Sequence, residues 1–177
     1  MTRNLFIAVT LLSLLNASVY AKPDAAYAAR ANTKADAPIN METPQKESKS
    51  ALPLLTVYKS ESCGCCQLWV EHMQKAGFSA TVVNTTELSA IKAKFSVPKD
   101  LHSCHTASVG GYFVEGHVPA SDVLRLLAEK PNVAGIGVAG MPMGSPGMEV
   151  PSGDTQPYKV TQVNKDGRQS IFSSHAK

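Results

Sequence analysis

Three cysteines fall within four positions in the run Ser62-Cys63-Gly64-Cys65-Cys66-Gln67-Leu68-Trp69. The run separates two segments of different periodicity. Before it, Leu54-Leu55-Thr56-Val57-Tyr58 is a short apolar stretch with β-branched and aromatic residues, the pattern of a buried strand. After it, Leu68, Trp69, His72, Met73 and Ala76 fall on one helical stripe, and Gly77 is a natural C-terminal stop. The sulfurs are therefore predicted where a strand gives way to a helix. There the first N–H groups of the helix lack partners and its dipole presents a positive end. Both favour a thiolate, which is a nucleophile and a ligand for soft metals.

The rest of the chain extends this unit. Phe78–Val83 predicts a second strand and residues 86–95 a second helix, with Thr85 or Thr86 as its N-cap. His105–Val109 and Tyr112–Gly116 flank Gly110-Gly111 and predict a β-hairpin. Residues 119–130 predict a third helix with Pro119 near its start. Residues 133–140 read as a short extended piece, and 141–148 as a Pro/Gly loop carrying Met141, Met143 and Met148. Residues 158–163 and 168–172 flank Lys165-Asp166-Gly167 and predict a terminal hairpin. The predicted fold is α/β, a single thioredoxin-like domain of order β-α-β-α-β-β-α with a C-terminal β-hairpin extension.

The chain opens Met1-Thr2-Arg3-Asn4, a short positive region, then an apolar run of about a dozen residues, then small residues at Val19 and Ala21. That run is too short to span a bilayer, which needs roughly twenty. Residues 1–21 are expected to be a cleaved export signal, which leaves the mature protein outside the membrane; with the resemblance given below, the signal implies the periplasm. Residues 22–52 are polar, with few large apolar side chains, and are expected to form a disordered linker. A folded thioredoxin-like domain is then expected over 53–150 and a β-hairpin tail over 151–177. Cleavage removes Arg3 and lowers the net charge from +3 to +2, too weak and scattered for a nucleic-acid or anionic-membrane partner.

An oxidising compartment demands that four cysteines pair, cycle or hold a metal. Cys63 and Cys66 satisfy the C-x-x-C spacing of a redox dithiol, but such a site needs neither Cys65 nor Cys104. In thioredoxin-like proteins the loop before the third strand faces the cysteine-bearing helix. By that analogy Cys104 would close a four-sulfur nest. A structural zinc knuckle prefers two well-separated C-x-x-C pairs. Short bites such as C-x-C suit bridging thiolates and Cu(I), and the methionine loop adds soft thioethers. A soft-metal site, a redox dithiol and a structural disulfide framework all remain open on these grounds.

Four blocks in order carry a resemblance: Cys63-Gly-Cys-Cys-Gln-Leu-Trp-Val-Glu-His-Met-Gln-Lys-Ala-Gly-Phe78, Val97-Pro-Lys-Asp-Leu-His-Ser-Cys-His-Thr-Ala107, Gly111-Tyr-Phe-Val-Glu-Gly-His-Val-Pro-Ala120 and Gly140-Met-Pro-Met-Gly-Ser-Pro-Gly-Met-Glu149. Together they resemble the CopG-like family, small exported metal-binding proteins of copper-resistance systems. The resemblance spans roughly residues 54–150. It implies a thioredoxin-like domain that binds copper, as Cu(I) in one or several ions, through Cys63, Cys65, Cys66 and Cys104. It implies partnership with copper ions and other periplasmic copper-handling proteins, and it leaves room for an oxidoreductase acting on copper or thiols.

Other candidates have plainer readings. His72 is about 10 Å along the helix from Cys65, too far to share a metal, and is assigned to packing or hydrogen bonding. Trp69 and Met73 are assigned to the core. His102 and His105 flank Cys104 and are candidate ligands, because imidazole suits copper. His117 is assigned to a loop or helix entry and His175 to a solvated tail. Met141, Met143 and Met148 either lid the site or capture Cu(I).

Overall fold

The structure, a computed structural model, describes residues 52–175. The expected export signal 1–21, residues 22–51 of the expected linker and the last two residues lie outside the described residues. In chain order the elements are β1 Leu55–Lys59, α1 Gly64–Lys75, β2 Ala80–Asn84, α2 Leu88–Lys94, a single 3-10 turn Lys99–Leu101, β3 His105–Val109, β4 Tyr112–Glu115, α3 Ala120–Glu129, β5 Val133–Gly137, β6 Tyr158–Asn164 and β7 Gln169–His175.

One sheet holds all seven strands in the order β2-β1-β3-β4-β5-β6-β7. β1 runs parallel to β2 and antiparallel to β3, and β3 is antiparallel to β4. β4 is parallel to β5, and β5, β6 and β7 continue antiparallel. The α/β order expected from the sequence is present, and so is the terminal strand pair. The extended piece near residue 133 is a full strand, and it joins the hairpin to the sheet. The expected C-terminal extension therefore lengthens the main sheet.

Two apolar layers cover the sheet. Trp69, Val70 and Met73 of α1 and Val123 and Leu126 of α3 pack with Leu55, Val57, Ala107, Val114 and Ile136. Val97, Leu101, Phe113 and Val163 form a smaller cluster. Phe113 and Val114 are neighbours on β4 and belong to different clusters, as strand alternation requires, so the clusters lie on opposite faces. Burial of each large apolar side chain contributes about 1.5–3 kcal/mol.

Local chemistry explains the joints. Gly110 and Gly111 turn the β3–β4 hairpin with φ of +56° and +88°, a conformation that costs a side-chain-bearing residue. Gly77, at φ +98°, ends α1 as expected. Pro119 stands at the N-cap of α3. The first free N–H of that helix, Ala120, donates to His72 Nε2 of α1 at 3.1 Å. His72 thus has the hydrogen-bonding role assigned to it.

Three local expectations are corrected. Leu68 was placed on the buried stripe of α1 but is 52% exposed. The buried face runs through Cys66, Trp69, Val70 and Met73, an i, i+3, i+4, i+7 set rotated away from Leu68. In α2 the N-cap is Glu87, and Thr85 Oγ1 accepts the Glu87 N–H at 2.9 Å from outside the helix. His175 is not a solvated tail residue. Strand β7 carries it to α3, where its Nε2 lies 2.7 Å from Asp122 Oδ2 and its ring stacks on Tyr158. No helix among the described residues is long and apolar enough to cross a membrane.

Candidate metal centre

Lys59, the last residue of β1, points into the core with Leu55 and Val57, and only 4% of it is exposed. Its ammonium donates to the Ser60 and Glu61 carbonyls at 3.0 and 3.3 Å, and Cys63 N–H donates to Ser60 O at 3.1 Å. The tight turn so formed delivers Cys63 to the N-cap of α1, with Cys65 and Cys66 in the first helical turn. Cys104 arrives from the other side, on the loop entering β3.

The structure brings all four sulfurs together, each within 4.8 Å of the others. Cys63 and Cys66 are joined as a disulfide, and Cys65 and Cys104 are free thiols. Cys65 Sγ lies 3.5 Å from Cys63 Sγ and 4.0 Å from Cys104 Sγ. Cys66 Sγ is 3.7 Å from the Cys104 carbonyl, but as half of a disulfide it has no proton to donate. Cys66 is fully buried and Cys63 half-buried, so a reagent meets Cys63 first.

Two histidines complete the surroundings of Cys104. His105 Nδ1 lies 3.4 Å from Cys104 Sγ, and His117 Nε2 lies 3.0 Å from it. His117 Nδ1 is 2.8 Å from the Pro146 carbonyl, which only accepts, so Nδ1 carries the proton and Nε2 presents its lone pair to Cys104. Burial lowers the basicity of both rings, so both are neutral. Burial, and then the neighbouring Cys65, push the Cys104 thiol up to about 12. A self-consistent network follows: His105 Nδ1–H donates to Cys104 Sγ, and the Cys104 S–H donates to His117 Nε2. His105 Nε2, deeply buried and without a partner, is then a bare lone pair and not a stranded N–H.

Cys104, His105 and His117 form a second set of converging donors that shares a sulfur with the first. Thiolate and imidazole both suit soft and borderline metals, so this donor chemistry fits a copper ion. His102 does not join either set; its Nε2 lies 3.3 Å from the Val97 carbonyl, at the end of the 3-10 turn. Sequence reasoning missed His117, because the β4–α3 connection that folds it back over Cys104 has no short-range signature. Trp69 lies in the core as expected, its Nε1 donating to Val118 O at 2.8 Å and its ring 4.4 Å from that of His105.

The methionine loop lies against the same helix start. Gly147 adopts φ +84°, and a Cβ there would stand 2.7 Å from the Cys65 carbonyl oxygen and 2.8 Å from Trp69 N. Only glycine allows the loop this close to the first turn of α1. Pro146 accepts from His117, and Gly147 N–H donates to Glu149 Oε2 at 2.8 Å. Met141 is exposed, whereas Met143 and Met148 are half-buried.

One further constellation imitates a catalytic triad. Ser173 Oγ, His175 Nε2 and Asp122 Oδ2 lie within hydrogen-bond reach, but serine and aspartate both address the same ring nitrogen. A relay needs them on opposite nitrogens.

A family described as protein of unknown function, DUF411, matches residues 101–148, which hold Cys104, His105, His117 and the methionine loop. A comparison with curated proteins finds no match. Among solved structures, a copper resistance protein CopG in its form 2 is 38% identical, with a TM-score of 0.67, covering 71% of this chain and 99% of that one. Form 1 of a copper resistance protein CopG is 37% identical over the same shares, again with a TM-score of 0.67. At that identity over nearly the whole of the solved chain, the protein belongs to the CopG-like family of copper resistance proteins.

Proposed function

We propose that this is an exported copper-binding protein that holds Cu(I) through the thiolates of Cys63, Cys65, Cys66 and Cys104, in copper resistance or homeostasis. The observation that carries the reading is the convergence of four sulfurs, from two segments about forty residues apart, within 4.8 Å. Thiolates placed this closely can bridge, so the nest suits one or several Cu(I) ions. In this reading residues 1–21 export the chain to the periplasm, 22–52 tether it, 53–150 are a thioredoxin-like copper domain and 151–177 a β-hairpin tail. Its partners are copper ions and other periplasmic copper-handling proteins.

The chemistry sets two requirements. A dithiol reductant must supply two electrons to open the Cys63–Cys66 bond before all four sulfurs can serve. Cu(I) must also displace the proton that Cys104 retains at neutral pH. Anaerobic titration of the reduced protein with Cu(I), followed by metal analysis and a free-thiol count, tests the reading. Copper should protect all four thiols, and Cys65→Ser and Cys104→Ser should each lose capacity. Unchanged loading in both variants would sink the four-thiolate site.

A second reading is favoured by the Cys63–Cys66 disulfide itself: a thiol–disulfide or copper oxidoreductase using that pair. A half-exposed first cysteine and a buried second one suit attack and resolution. Here Cys65→Ser should retain redox turnover, and Cys63→Ser or Cys66→Ser should abolish it.

A further inference from the structure

Strand β4 ends in Glu115, which is fully buried. Its Oε1 pairs with Lys92 Nζ of α2 and accepts the backbone N–H of Ser103 at 2.6 Å. Its Oε2 accepts from Thr106 Oγ1 at 2.7 Å, and Lys92 also donates to Thr106 Oγ1 at 3.0 Å. Lys92 is the buried residue of α2. That helix thus inserts a charge toward the sheet where an apolar side chain would serve packing better.

The network reaches the sulfur nest through the backbone of Ser103. Ser103 is bonded to Cys104, and its hydroxyl donates to the Gly140 carbonyl at the base of the methionine loop. Gly140 N–H donates in return to His102 O at 3.3 Å. Gly116, the residue after Glu115, donates to His105 O at 3.0 Å, and a Cβ on it would stand 2.6 Å from the Ser103 side chain. The turn holding Cys104 is therefore gripped through its backbone from β4, and through Ser103 Oγ from the methionine loop.

We infer that Glu115, held by Lys92 and Thr106, is a positioning residue that sets the place of the Cys104 sulfur in the metal centre, through the Ser103 N–H. None of the three is among the converging donors; Glu115 reaches them through the Cys104 turn, and the Lys92 charge, absent from both double variants below, also acts on His105. The inference rests on the copper reading for its consequence, and on the hydrogen bonds alone for its geometry. A carboxylate is suited to the task because it accepts three donors at once, and backbone hydrogen bonds to a charged acceptor are short and directional. An apolar residue at 115 could fill the space but could not hold the turn.

Two double variants separate positioning from packing. Lys92→Met with Glu115→Leu removes both charges and the acceptor. Lys92→Met with Glu115→Gln removes both charges but leaves an amide oxygen for the Ser103 N–H. Each is made in the full chain, reduced, and titrated with Cu(I) against a competing chelator, recording the copper–thiolate absorption bands. The Leu pair should remain folded by circular dichroism, bind Cu(I) about 10–100-fold more weakly, and show shifted bands. The Gln pair should recover most of the affinity and the parental bands. A folded Leu pair with parental affinity and bands would overturn the inference. Should the Leu pair not fold, Lys92→Met with Glu115→Met, close in shape to the parent and likewise without an acceptor, takes its place, with a loss of about tenfold supporting the inference and parental binding overturning it. A parent that takes up no Cu(I) would defeat the copper reading and not this one. In that event amide hydrogen exchange at Ser103 and Cys104 in the metal-free Gln and Leu pairs decides. Faster exchange in the Leu pair alone supports positioning, and equal exchange in both overturns it.

Discussion

Cys104 illustrates how a residue's chemistry is set by its neighbours. A thiol with an ordinary acidity would be partly ionised near neutral pH, but burial keeps this one protonated and hydrogen-bonded to His117. His72 shows the same influence away from the sulfur. Burial lowers its imidazole below the ordinary 6.5, outweighing the raising effect of Glu149, and Lys75 lowers it further. The folded chain therefore refuses a proton that the unfolded chain accepts. Its contribution to stability is full above pH 6.5 and is lost as pH falls through the lowered folded value. Gln at position 72 can still accept the Ala120 N–H but cannot titrate. Urea unfolding of metal-free His72→Gln between pH 7.5 and 5 should therefore vary less with pH than that of the parent. Equal pH dependence would show that His72 does not titrate across the transition.

At the scale of elements, helix α1 and helix α2 solve opposite problems. α1 buries Trp69, Val70 and Met73 against the sheet and gives its N-terminal turn to sulfur. Its position is over-determined, by the Trp69 hydrogen bond to Val118, the His72 contact with α3 and the close approach of Gly147. α2 buries Lys92 and leaves most of its surface in water. Removing the cation alone strands a buried carboxylate. Lys92→Met should destabilise the protein by about 3–5 kcal/mol in urea unfolding, whereas the paired Lys92→Met, Glu115→Leu change should be near neutral. A small effect of the single variant would mean that Lys92 is not what compensates the buried Glu115 side chain.

For the whole molecule, the sheet makes the terminal hairpin part of the core. Val160 and Val163 of β6 are buried, Arg125 of α3 lies 3.6 Å over the Phe172 ring, and β6 covers what would otherwise be the open edge of β5. Deleting residues 157–177 should uncover that apolar edge. Unfolding should then lose cooperativity and the protein should associate, as read by light scattering and a thermal melt. A monomer with a parental melt would show the hairpin to be dispensable.

Much of this architecture was legible in the sequence, because it rests on local patterns. The short apolar run Leu54–Tyr58 marks a strand, a helical stripe ending in Gly77 marks a helix, and Gly110-Gly111 marks a hairpin. The crowding of Cys63, Cys65 and Cys66 marked one side of the candidate site, and the strand-to-helix junction told why sulfur would be reactive there. Period alone cannot orient a helix to within one residue, so Leu68 was placed on the wrong face. Nor can it say what lies opposite a loop. The return of Cys104 to the α1 N-terminus was expected from the thioredoxin-like analogy and not from spacing, and the approach of His117 to Cys104 depends on strand order and on how connections fold back. The pairing of Lys92 with Glu115 depends on the same things. The sequence by itself determined which segments are strands and helices and where sulfur is concentrated, since those follow from side-chain spacing along the chain. Only the tertiary structure decided which distant donors share a site and which buried charges hold them there, since those contacts form between residues with no relation in sequence but adjacent places in one sheet.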